Sequence, residues 1–249
     1  MREWIVGRQP VYETLRAARR QGFSLWLAEG VKPKGRVAES LRLASRRGIP
    51  LRKVERRRLD ALSPISHQGI ALEVSAYPYV SLPEVVERAL SAGEPPFLLI
   101  LDSLQDPQNL GTLLRTAEAV GIHGVLLPLR RAAGITPAVV SASSGASEHL
   151  WVGRANLAQA IQTLQEKDIW VVGLDEGADS RSLDEVRLDG ALALVVGNEG
   201  QGLRPLVRKN CDLLLRLPMR GAIASLNAAT AGSVALYFAW QARNFSRPG

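Results

Sequence analysis

From Phe97 onward, short continuous apolar runs alternate with helical stretches, and that alternation constrains the fold more than any other feature of the chain. Strands are expected at residues 97–101, 124–127, 150–153, 169–174, 191–196 and 212–217. Helices are expected over 110–120, 157–167 and 226–242. Asn109, Asn156 and Ser225 suit the N-caps, because a short polar side chain there accepts from amides that the helix leaves open. Strands that are apolar at every position are buried on both faces. The pattern therefore predicts an α/β domain on a mainly parallel sheet with helices on both sides. Connection rules alone predict an unknotted winding.

Residues 1–75 read as a separate small α/β unit: a helix over 11–20, a strand at 24–28, a second helix ending at Gly48, and strands at 49–54 and 69–74. Residues 76–96 hold Pro78, Pro83, Pro95 and Pro96 around one short amphipathic helix, which is linker composition. The division expected is thus 1–75, a 76–96 linker, and 97–249. Charge follows it. Residues 1–75 carry 16 Lys+Arg against 7 Asp+Glu, a net of +9, whereas 97–249 carry 14 of each. A basic module beside a neutral one points to a polyanion captured by the first and chemistry done by the second, with a solvated arginine-rich surface as the plainer reading. The turn Lys32, Lys34, Arg36 is the best candidate for direct contact, and Arg56, Arg57 and Arg58 come next.

Three tight turns fall close together near the C-terminus: Gly197-Asn198-Glu199-Gly200-Gln201-Gly202-Leu203, then Leu217-Pro218-Met219, then Ser225-Leu226-Asn227. Together they would line a pocket with backbone amides and carbonyls, which match the paired donors and acceptors of an adenine edge. The glycines run G-x-x-G-x-G, not the dinucleotide order G-x-G-x-x-G, and they lie late in the domain. A glycine-rich connector after a buried strand is the plainer explanation of that run by itself. Glu199 speaks against it, since a carboxylate there accepts from a ligand or a basic partner and repels phosphate.

The three turns, preceded by the stretch from Asp102 to Glu118 (Asp-Ser-Leu-Gln-Asp-Pro-Gln-Asn-Leu-Gly-Thr-Leu-Leu-Arg-Thr-Ala-Glu), resemble in order and spacing the signature motifs of the SpoU (TrmH-like) branch of the SPOUT RNA methyltransferases. The first 75 residues, ending in His67-Gln68-Gly69-Ile70, resemble the small RNA-binding domain that precedes some SpoU catalytic domains. The resemblance implies a C-terminal trefoil knot, S-adenosylmethionine held by backbone groups of Gly197, Leu217 and Leu226, and a homodimer formed through the catalytic domain. It implies catalytic roles for Asn109, Arg115, Glu199, Ser225 and Asn227. Where the family has Val-Ser after Ser-Leu-Asn, this chain has Ala228-Ala229-Thr230.

Arg115 also has a local explanation, as a surface arginine paired with Glu118 one turn on, worth a few tenths of a kcal/mol. The family role is engagement of RNA beside the target ribose. A guanidinium stays protonated, with a pKa above about 12, so it is a poor general base and a good bidentate phosphate clamp. The activity implied is 2′-O-ribose methylation of RNA, most like the enzymes acting on a guanosine of 23S ribosomal RNA. Alternatives are a tRNA guanosine or antibiotic-resistance rRNA methyltransferase, or a non-catalytic ribosome-assembly protein. Cys211 is alone and the three histidines are scattered, so no metal site is expected. No apolar run approaches the ~20 residues of a membrane span, and a cytoplasmic location is expected.

Overall fold

A computed structural model describes every residue except 1, 131, 178, 223–224 and 246–249. The chain forms two compact units, Met1–Pro78 with Ile135–His149, and Tyr79–Gly134 with Leu150–Gly249.

The first unit contains β1 (Arg2–Val6), α1 (Arg8–Ala17), β2 (Gly22–Ala28), α2 (Arg36–Arg46), β3 (Leu51–Val54), α3 (Arg56–Asp60) and β4 (Ile70–Ser75). Its sheet runs β1-β4-β2-β3, with β2 and β3 parallel and the other pairs antiparallel. Ile5, Leu25 and Leu72 are fully buried, as are Val11 and Leu15 of α1. Helix α1 begins before Pro10 rather than after it, because a proline in the first turn sacrifices no helical hydrogen bond. Two elements exceed the sequence expectation: β1, and α3, formed by the arginine run.

The Ile135–His149 segment joins this unit. It carries a helix, Pro137–Ala142, and a 3-10 turn, Ala146–His149. Both oxygens of Glu148 accept from the fully buried Arg20, at 3.0 Å from Nε and 2.9 Å from Nη2. Arg20 Nη1 also donates to Glu3 at 2.6 Å. Burial pushes the Glu148 carboxyl upward, and Arg20 opposes that shift. Such a fork meets a carboxylate with two parallel bonds, which compensates much of the desolvation of both charges.

The second unit contains α4 (Leu82–Leu90), β5 (Phe97–Leu101), α5 (Pro107–Ala119), β6 (Gly124–Pro128), β7 (Val152–Ala155), α7 (Leu157–Gln165), β8 (Trp170–Leu174), β9 (Arg181–Ser182), β10 (Leu192–Val196), α8 (Pro205–Asn210), β11 (Leu213–Arg216) and α9 (Ala228–Ala242); α6 is the Pro137–Ala142 helix of the first unit. Among the described residues its strands run parallel, in the order β7-β6-β5-β10-β8-β11-β9. The α/β class and the parallel sheet match the sequence reading. Leu98, Ile100, Val171, Ala193 and Val195 form one core with α4, α7 and α8. Helices α5 and α9 pack on each other, with Thr116 Oγ1 and Ser233 Oγ 2.9 Å apart. The 76–96 stretch, linker-like in composition, holds α4, whose Val85, Val86 and Ala89 are buried in this core. The unit boundary falls between Pro78 and Tyr79.

Two of the three expected caps are corrected. Helix α5 is capped by Asp106, which accepts from the Gln108 amide at 3.1 Å, and not by Asn109. Pro107 is pre-set for the first helical position, so the helix begins there. Helix α9 is capped by Asn227 rather than Ser225, through the amides of Ala229 (2.9 Å) and Thr230 (3.2 Å). Asn156 caps α7 as expected. Among the described residues, no helix is long and apolar enough to cross a membrane.

Candidate active site

The strand order reverses direction across the middle of the parallel sheet, where β10 inserts between β5 and β8. Open α/β sheets bind ligands outside the carboxyl ends of their strands at such a switch. Here a cavity of about 380 Å³ opens beyond the ends of β8, β10 and β11. Its lining includes Leu174–Gly177, Val196–Gly202, Leu215–Leu217, Met219, Ser225 and Leu226. All three turns singled out in the sequence therefore meet at one pocket.

The glycine loop is closed by a pair of backbone bonds, Asn198 N to Gly202 O at 3.0 Å and Gly202 N to Asn198 O at 2.9 Å. A Cβ on Gly197 would lie 2.3 Å from the carbonyl carbon of Gly202, so no larger residue fits this crossing. The far end of the loop is fixed by Asp102, which is fully buried at the end of β5. Its carboxylate accepts from Arg204 N at 2.8 Å and from Arg204 Nε at 2.6 Å. Asp102 was not assigned a role from sequence. The available signal was a lone acid directly after a uniformly apolar strand.

Asn109, Glu199 and Asn227 form one network. Asn109 Nδ2 donates to Glu199 Oε1 at 2.9 Å, Asn227 Nδ2 donates to Asn109 Oδ1 at 3.1 Å, and Asn227 Nδ2 also donates to Glu199. Because Asp106 caps α5, the Asn109 side chain is released to reach across to the loop. Ser225, Leu217 and Leu226 line the cavity, and so does Gly197. Arg115 is exposed on α5, six residues beyond Asn109, and does not line the cavity.

Sequence reasoning passed over the opposite rim. Arg208 Nε and Nη2 donate to the Asp175 carboxylate at 3.1 and 3.3 Å, and Nη2 also donates to Asp179. This pairing raises the Arg208 pKa, chiefly through the Asp175 bond, and lowers that of Asp179. It ties the segment after β8 to α8. Glu176 and Arg216, both exposed, line the cavity beside it. Among the described residues no cluster of His, Cys, Asp and Glu is arranged to hold a metal ion.

In the first unit Lys32 and Lys34 are exposed. Arg36 is engaged within the chain: it donates to Glu39 at 2.6 Å and to Gln9 at 3.1 Å, and its guanidinium lies 4.1 Å from the Tyr12 ring centre. The Glu39 hydrogen bond raises its pKa.

Two family models match the chain. The SpoU rRNA Methylase family covers residues 96–237, and the RNA 2′-O ribose methyltransferase substrate binding family covers residues 4–80. YacO of Bacillus subtilis (strain 168), whose name places it in the TrmH family of tRNA/rRNA methyltransferases, is 42% identical over 245 residues, spanning 97% of this chain and 96% of its own. Among solved structures, the SpoU methyltransferase AviRb from Streptomyces viridochromogenes, in complex with AdoMet, aligns with a TM-score of 0.80 at 23% identity, covering 98% of this chain and 92% of that one. An AdoMet-bound rRNA methyltransferase from Sinorhizobium meliloti aligns with a TM-score of 0.79 at 23% identity, covering 96% and 87%.

Proposed function

Because this chain belongs to the SpoU rRNA methylase family, we propose that it is an RNA 2′-O-ribose methyltransferase acting on a guanosine of 23S ribosomal RNA in the cytoplasm. The observation that carries the reading is the convergence of three backbone-rich turns on one cavity, with the Asn109–Glu199–Asn227 network built onto the same loop.

The family's methyl donor, S-adenosylmethionine, fits this cavity. Its volume of about 380 Å³ lies in the range of small-molecule sites, and Leu174, Val196, Leu215, Leu217 and Leu226 give it apolar walls. Gly197, Leu217 and Leu226 hold it through backbone groups. Bound there, it supplies a sulfonium-activated methyl group.

The chain's own residues align and shield the reacting ribose. Arg115 clamps a phosphate of the substrate in two-pronged fashion, which positions the neighbouring 2′-hydroxyl and stabilises charge developing on its oxygen. Asn109 and Asn227 hold Glu199, and with it the glycine loop, in one position. Ser225 contributes to the cavity wall on the substrate side. Positioning of this kind accounts for much of the barrier lowering in a displacement that needs alignment and exclusion of water.

The C-terminal part of the second unit is proposed to be knotted, and two copies to pair through it. Support for pairing comes from α9, which leaves Tyr237 47% and Phe238 38% exposed beside a groove also lined by Val234 and Phe245. Residues 1–75 supply RNA capture and 97–249 supply catalysis. The test is calorimetry with S-adenosylhomocysteine together with mapping of 2′-O-methylation in ribosomal RNA made with and without this protein. Tight NAD binding with no response to S-adenosylhomocysteine, or an unchanged methylation map, would overturn the reading.

A further inference from the structure

In an antiparallel or parallel pair, residues directly opposite each other project from the same face of the sheet. The register of the first unit sets Trp4 and Ser24 opposite Glu73, Val6 and Trp26 opposite Ala71, and Arg52 opposite Trp26. One face therefore carries Arg2, Trp4, Ser24, Trp26 and Arg52. At one end it is roofed: Val6, Ala28, Val54 and Ala71 pack with Leu59 of α3. At the other end Trp4 and Trp26 pack against the edge of that cluster and keep part of their surface exposed. Trp4 and Trp26 are half-buried there, with ring centres 4.5 Å apart and planes tilted by 57°. The Arg58 guanidinium lies 5.1 Å from the Trp26 ring centre, and that of Arg2, 62% exposed, lies 4.1 Å from the Phe23 ring centre.

We propose that this partly exposed half-face is a stacking platform for unpaired RNA bases, with Trp4 and Trp26 as its floor and Arg2, Arg52 and Arg58 reaching the flanking phosphates. The inference rests on the reading that RNA is the substrate, and it moves base contact from the Lys32–Arg36 turn to the sheet. Three observations favour RNA. Two adjacent indoles held against a packed core, tilted to each other by 57°, offer two pre-ordered ring faces at little entropic cost, as single-strand binders do. Arginines at the rim add charge and can themselves stack on bases. The strands place one carboxylate on this face, Glu73, and it is already paired with Arg2 at 3.3 Å, so the face matches a polyanion. Paired bases are buried in their own stack, so the platform selects single-stranded segments over duplex.

The test uses the full chain and two probes, a short oligouridylate and an RNA duplex of the same length, with affinity measured at several salt concentrations. Trp4→Leu and Trp26→Leu should each weaken oligouridylate binding roughly 5- to 150-fold, the equivalent of about 1–3 kcal/mol per stacked base. They should leave duplex binding and the salt slope unchanged, and Trp26→Phe should restore most of the loss. A second measurement needs no variant: photo-crosslinking of a 4-thiouridine oligomer should map to peptides containing Trp4 or Trp26. Wild-type affinity in folded Leu variants, equal affinity for duplex, or crosslinks confined to the Lys32–Arg36 turn or to the second unit would each overturn the platform while leaving RNA as the substrate. Absence of binding to any RNA would overturn the substrate reading itself, and S-adenosylhomocysteine binding would then be unaffected.

Discussion

The side-chain amide of Asn109 donates to the carboxylate of Glu199 at 2.9 Å, joining helix α5 to a glycine loop ninety residues away in sequence. That bond couples the two side chains, and the proposed activity then depends on them as one unit. Asn109→Ala and Glu199→Ala should each slow methyl transfer by about 10²-fold, the scale on which a small misplacement of reacting groups is felt. The double variant should be no slower than either single one, since the same alignment is lost once. Single-turnover rates would measure this. Losses that multiply would deny the coupling.

Asn227 has two separable duties, capping α9 through its oxygen and donating to Asn109 and Glu199 through its nitrogen. Asn227→Ala should cost about 1 kcal/mol of stability from the lost cap, roughly 2–4 °C in melting temperature, and should also slow methylation. Asn227→Asp keeps a capping oxygen but faces Glu199 with a like charge. It should melt near wild type and still be slow. Equal melting and equal rates for both variants would count against this division of labour.

Arg115→Ala should reduce methyl transfer by about 30- to 1,000-fold, the 2–4 kcal/mol typical of a transition-state clamp, with cofactor affinity retained. Arg115→Lys should recover little, because an ammonium lacks the planar fork. Were Arg115 only a surface residue paired along its helix, the alanine variant would turn over at nearly the wild-type rate.

Gly197→Ala places a methyl 2.3 Å from the Gly202 carbonyl carbon, where backbone has to move. The loop should open, S-adenosylhomocysteine binding should collapse, and stability should fall by about 1–3 kcal/mol. Gly190→Ala is the matched control, since nothing lies within 4 Å of the added carbon. Calorimetry and melting of the pair would decide. Normal binding by Gly197→Ala would mean that the tight crossing does not shape the pocket.

Burial raises the Cys211 thiol to about 12, with Asp212 adding to the shift. Its thiolate fraction at pH 8.5 is then lower than that of an ordinary cysteine by about a thousandfold. Iodoacetamide should label the unfolded chain and spare the native one. The sign also fixes a stability trend: the folded state holds this proton more tightly, so the contribution is complete below the ordinary thiol range and is lost as pH rises from there to about 12. Rapid labelling of folded protein at pH 8.5 would contradict the burial.

The parallel sheet was legible because strands such as Phe97–Leu101 are apolar at every position, a pattern that only burial on both faces supports. Its order was not. The insertion of β10 between β5 and β8 is set by tertiary packing between distant segments, which periodicity along the chain does not carry. The three turns around the cavity could be read from glycine and proline placement, yet the cap assignments failed for a local reason. Asp106 and Asn109 are both competent caps three residues apart, and Pro107 selects the first. Asp102 was opaque for the opposite reason, since its partner Arg204 lies 102 residues away. Strand β1 was missed because its first two residues are charged, and the register that makes Trp4 and Trp26 neighbours emerges only once β1, β4 and β2 have paired.

The Arg20–Glu148 pair sets a timetable for the chain as it is made. A ribosome adding about 5–20 residues each second delivers position 148 roughly 6 to 26 seconds after position 20. Until then the guanidinium that ends up with no exposed surface has Glu3 alone as its carboxylate partner. The N-terminal module, contiguous to the eye up to Pro78, therefore completes its interior only when a length of the following domain has emerged from the exit tunnel. Its maturation is linked to that of its neighbour by the order of synthesis.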